Sequence, residues 1–128
     1  MKRESVCGTY QLESFVLEKS ETERSDWGKD MHGLLIYAPT GHMSVSINKA
    51  IEPSGDNESE DIFDSILFYS GTFEVKNDEI THQVTEASNP TRIGKSLIRY
   101  ARIDGETLEL ASPQESFGRA VLRWRRIQ

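Results

Sequence analysis

A single cysteine, Cys7, excludes an intramolecular disulfide framework and any metal site built from several thiolates. No apolar run approaches the roughly 20 residues that a helical membrane span requires. No basic segment leading into an apolar one opens the chain, so nothing marks a secretory signal. With 15 basic side chains against 21 acidic ones, the net charge of −6 argues against a general nucleic-acid binder. A phosphate loop, a dinucleotide fingerprint, a nucleophile elbow and a zincin motif are also missing. No internal repeat or low-complexity tract appears. What remains suits a single soluble domain spanning residues 1–128, cytoplasmic, and large enough to bury one core.

The acidic residues are concentrated early. Residues 1–64 carry 13 acidic and 6 basic side chains, and residues 65–128 carry 8 and 9. Two segments cause most of this, Glu18 to Asp26 and Asp56 to Asp64, and both are expected to be solvated connections. The second could also offer an acidic surface to a basic partner. The closing basic cluster Arg119, Arg123, Arg125 and Arg126 interleaves with Val121, Leu122, Trp124 and Ile127, which is a strand pattern and not a tail.

Short period-two segments separated by turn residues dominate the chain and predict an all-β protein. Eight strands are expected, over 8–18, 33–38, 43–47, 68–75, 79–85, 97–103, 107–111 and 119–127. Pro39 to Gly41, Asn77-Asp78 and Asp104-Gly105 supply the hairpin turns. One short helix is expected over Asn57 to Leu67, where Ile62, Phe63, Ile66 and Leu67 have helical spacing. Eight sequential antiparallel strands leave two open edges unless the sheet closes, and closure gives an eight-stranded barrel able to hold one small ligand.

Several ordered pieces carry a family resemblance. They are Gly8-Thr9-Tyr10, the hairpin WGKDMHGLLIYAPTGHMSVSI (27–47), FYSGTFEV (68–75) with EITHQV (79–84), IRYARIDGETLEL (98–110) and VLRWRRI (121–127). Together they resemble the lipocalin-like domain family of small calycin-type barrels, with Tyr10 standing where lipocalins open on Gly-x-Trp. The resemblance implies an eight-stranded antiparallel lipocalin-like barrel. It also implies that Arg126 packs over Tyr10. Some such barrels bind apolar small molecules, and some related ones act as cyclases or isomerases on natural products.

His82 falls between Ile80 and Val84 on an inward face. It reads as a core histidine satisfied by a Tyr or Ser, as a polar anchor or general base in the cavity, or as a single haem ligand. His32 and His42 are expected to be exposed, and the three histidines lack metal-ligand spacing, so neither a metal nor a cofactor is expected. Tyr69 shares its face with Gly71, Phe73 and Val75, while the face of Tyr37 is open because its strand is apolar on both sides. Arg99 either points inward with Leu97, Ala101 and Ile103, or lies on the surface while Ile98 and Tyr100 point in.

The expected function is binding of a small, largely apolar molecule inside the barrel. Tyr37, Met43, Tyr69, Phe73 and Trp124 would form walls, with His82 and Arg99 as polar anchors. One alternative is an isomerase or cyclase using His82 as acid/base and Arg99 to stabilise negative charge. The other is a protein-interaction module using Asp56 to Asp64. No nucleic-acid or membrane partner is expected, and a homodimer stays open.

Overall fold

The computed structural model describes residues 1–18, 24–26, 31–48, 66–114 and 118–128. Among the described residues, a one-turn helix α1 (Arg3–Val6) precedes nine strands. These are β1 (Gly8–Glu18), β2 (Arg24–Asp26), β3 (His32–Tyr37), β4 (His42–Asn48), β5 (Ile66–Lys76), β6 (Glu79–Ala87), β7 (Ser96–Asp104), β8 (Thr107–Ala111) and β9 (Arg119–Arg126). A 3-10 turn, Pro90–Arg92, stands between β6 and β7, with the Asn89 side chain capping it.

Every neighbouring pair is antiparallel, and β1 also pairs with β9. Strand β1 and strands β3 to β9 therefore close into an eight-stranded barrel, which removes the open edges. The short β2 is an addition to the expected set. Strand β1 outruns β3, whose pairing covers Gly8 to Gln11, and β2 takes the remaining edge at Val16 to Glu18. This corrects the reading of Glu18 to Asp26 as a solvated connection at Glu18 and Arg24–Asp26, which pair in the sheet, while residues 19–23 lie outside the described residues. A ladder needs only backbone groups, so a polar segment can complete it. Glu18 itself accepts a hydrogen bond from Arg119 Nε at 3.1 Å across the β1–β9 seam. Of the expected helix, residues 57–65 lie outside the described residues, and Ile66 and Leu67 belong to β5. The acidic segment Asp56 to Asp64 also lies outside them.

Alternation fixes what points inward. In β4, Met43, Val45 and Ile47 are buried, and in β6, Ile80, His82 and Val84 are buried. Strand β3 turns Leu35 and Tyr37 inward, leaving Leu34 and Ile36 exposed. Strand β7 turns Leu97, Arg99, Ala101 and Ile103 inward, leaving Ile98 and Tyr100 exposed. The β5–β6 register shifts between Ser70 and Gly71, and a Cβ on Gly71 would stand 1.8 Å from the Gln83 carbonyl oxygen. Only glycine permits that approach.

The two ends of the barrel differ. The end formed by the start of β1, the hairpin turns and the end of β9 is plugged. Val6 of α1 is fully buried, and Tyr10 donates its hydroxyl proton to the Val6 carbonyl at 2.6 Å. Arg126 spans this end as the resemblance implies. Its guanidinium carbon lies 5.3 Å from the Tyr10 ring centroid, and it donates to Tyr10 Oη at 2.7 Å and to the Ser5 carbonyl at 2.6 Å. The opposite end carries the β6–β7 and β8–β9 connections and leaves room inside.

Candidate functional site

The room is a cavity of about 610 Å³, within the range of small-molecule sites. Its described walls are mainly apolar, including Leu35, Val45, Ile47, Leu67, Leu110 and Leu122. It reaches the surface beside exposed Thr91 and Lys95. Of the residues expected to form the site, Tyr69, His82, Arg99 and Trp124 line this cavity. Tyr37, Met43 and Phe73 are buried but do not line it. The Tyr37 and Phe73 rings pack with centroids 4.7 Å apart, so they form the packed layer against which the cavity ends.

Beneath the cavity runs a polar chain. His82 Nε2 lies 2.6 Å from Tyr37 Oη, and His82 Nδ1 lies 2.7 Å from Tyr69 Oη. Strand pairing builds this contact. Tyr69 and Phe73 point inward from β5, and His82 faces Phe73 from β6. Burial, followed by the positive charge of Arg99, pushes the His82 imidazole from 6.5 down to about 3. The ring is therefore neutral near pH 7, with one N–H and one lone pair. Burial also raises both phenols, Tyr37 the more strongly, while Arg99 and Arg92 act on Tyr69 in the opposite direction.

The hydrogen-bond network assigns the tautomer. Among the described residues, Tyr37 Oη has one polar partner, His82 Nε2. If Nε2 carried the proton, the Tyr37 hydroxyl would be left with a buried donor and no acceptor, at a cost of about 1–3 kcal/mol. Tyr37 therefore donates to Nε2, and Nδ1–H donates to Tyr69 Oη. The Tyr69 proton is then the free end of the chain, on a residue that lines the cavity. Trp124 also contributes to the cavity wall. It is buried, and its indole N–H has no partner among the described residues.

Sequence reasoning missed Arg92 and Lys95, which join Arg99 in the lining. The Asn89-Pro90 turn predicts a loop but not which way it folds. His32 and His42 are exposed, as expected, and Cys7 is a half-buried free thiol. Among the described residues, no three His, Cys, Asp or Glu side chains converge as a metal site would require, and no helix is long and apolar enough to cross a membrane.

No curated protein matches the chain in a sequence comparison. A family model described as a lipocalin-like domain matches residues 7–127. That span covers nearly the whole chain, and the protein belongs to this family.

Proposed function

We propose that this member of the lipocalin-like domain family binds a small, largely apolar molecule inside its barrel. The observation that carries the reading is the cavity itself, about 610 Å³, with described walls that are mainly apolar and reaching the surface at one end. The opposite end is filled by Val6, Tyr10, Tyr37 and Phe73. Burial of an apolar molecule against such walls supplies roughly 25 cal/mol per Å² of apolar surface removed from water. Tyr69, His82, Arg99 and Trp124 would orient it, with Tyr37 acting through His82.

Binding is favoured over acid–base turnover at His82 because both ring nitrogens are already hydrogen-bonded and burial has lowered the ring's affinity for a proton. The test is a fluorescence titration with the neutral apolar dye phenylnaphthylamine. Saturable binding at one site is expected, and Ala120→Phe, which places a ring in the cavity wall, should weaken it severalfold. Dye binding indifferent to Ala120→Phe would contradict an interior site.

A further inference from the structure

We propose that the ligand carries a carboxylate, held between the Tyr69 hydroxyl and the Arg99 guanidinium, with its apolar body lying along the apolar walls. This rests on the small-molecule reading above and adds the chemistry of the head group.

The polar groups around the cavity are lopsided. Among the described residues, Arg92, Lys95 and Arg99 line it, and no aspartate or glutamate does. This occurs in a chain of net charge −6, so it does not reflect a general excess of cations. Among the described residues, none of the three is ion-paired. Two acceptors among the described lining residues, Asn89 and Ser112, are already engaged. Asn89 Oδ1 accepts from the Thr91 amide at 3.1 Å and from the Thr91 hydroxyl at 2.7 Å. Ser112 Oγ accepts from the Ala120 amide at 2.9 Å and donates to the Pro113 carbonyl at 3.2 Å.

Donors are left over. Tyr37 and His82 direct the Tyr69 proton away from the imidazole, on a residue that lines the cavity. A site with a spare hydroxyl donor and spare positive charge fits an anionic oxygen ligand. One inward guanidinium matches one negative charge. Arg99 commits Nη1 to the Ile98 carbonyl at 2.9 Å and turns its guanidinium toward the Tyr69 hydroxyl, so the remaining donors of its fork lie beside that hydroxyl. A dianion would bring a second charge into an apolar cavity, where an unmatched charge is costly. Lys95 is exposed and Arg92 half-buried at the rim, where they attract an anion toward the entrance.

The test is calorimetry with matched head groups on two bodies: decanoate, decanol and decylamine, then naphthoate, naphthol and naphthylmethylamine. At neutral pH the carboxylate of at least one series should bind ~10-fold or more tighter than its alcohol, and the amine weakest. Arg99→Gln should weaken the carboxylate by ~10–100-fold and the alcohol by less than ~3-fold, and Tyr69→Phe should weaken the carboxylate by ~10-fold. Alcohol and carboxylate binding equally would overturn the head-group assignment and leave the small-molecule reading intact. A carboxylate preference that survives both substitutions would overturn the assignment to Tyr69 and Arg99. If none of the six binds, the small-molecule reading falls and this inference falls with it.

Discussion

Acidifying the protein from pH 7 to pH 5 should remove about 2 kcal/mol of stability through His82 alone. Burial and the Arg99 charge lower the folded-state value to about 3, against 6.5 for the unfolded chain. Between those values the unfolded chain binds more protons, so stability rises with pH in that window. The contribution is fully present above pH ~6.5 and is lost as pH falls toward about 3. One pH unit inside the window is worth about 1.4 kcal/mol, which gives about 2 kcal/mol by pH 5. Stopping at pH 5 keeps the carboxylates largely out of the measurement. The Glu86 carboxyl is held below its ordinary range by the Ser70 and then the Thr85 hydroxyl, so its contribution disappears only at still lower pH. Urea unfolding followed by tryptophan fluorescence at pH 7, 6 and 5 reads the slope. His82→Gln should flatten it. A wild-type slope that persists in His82→Gln would refute the assignment of the pH dependence to this ring.

Three further outcomes follow from the same geometry. Gly71→Ala should destabilise the fold by about 3–5 kcal/mol in chemical denaturation, because its Cβ meets the Gln83 carbonyl oxygen at 1.8 Å and strands β5 and β6 must part to admit it. Arg126→Met should cost about 1–3 kcal/mol, since it removes hydrogen bonds to Tyr10 and Ser5 together with the cation–π contact. Nitrogen-15 spectra of histidine-labelled protein should show His82 neutral and protonated on Nδ1 from pH 7 to pH 5, and an Nε2-protonated ring would reverse the donor direction argued for Tyr69.

The inward faces were legible wherever polar and apolar residues alternate. Met43, Val45 and Ile47 against Ser44 and Ser46 left one assignment, and so did Ile80, His82 and Val84. Strands β3 and β7 were not legible in this way, because both of their faces are apolar. Leu34, Ile36, Ile98 and Tyr100 turn outward despite their hydrophobicity, and Arg99 turns inward because it lines an open cavity and not a packed core. The Tyr37–His82 contact joins residues 45 apart in sequence and follows from pairing across β3, β4, β5 and β6. No local pattern encodes it. Arg92 and Lys95 stayed hidden for a related reason. Their place at the rim depends on how the β6–β7 connection folds over the cavity, which turn residues alone do not specify. Strand β2 lacks any apolar alternation, and only the open edge of β1 shows why Arg24–Asp26 pairs.

The most direct measurement is a proton–nitrogen NMR titration of the protein with decanol and, separately, decanoate. The chain has two tryptophans, and Trp124 lines the cavity. An interior site predicts saturable movement of the Trp124 indole peak together with the backbone signals of Tyr69 and His82, while the outward-facing Ile98 and Tyr100 stay still. An unmoved Trp124 peak, with changes confined to outward-facing residues, would place the ligand outside the barrel and contradict the account.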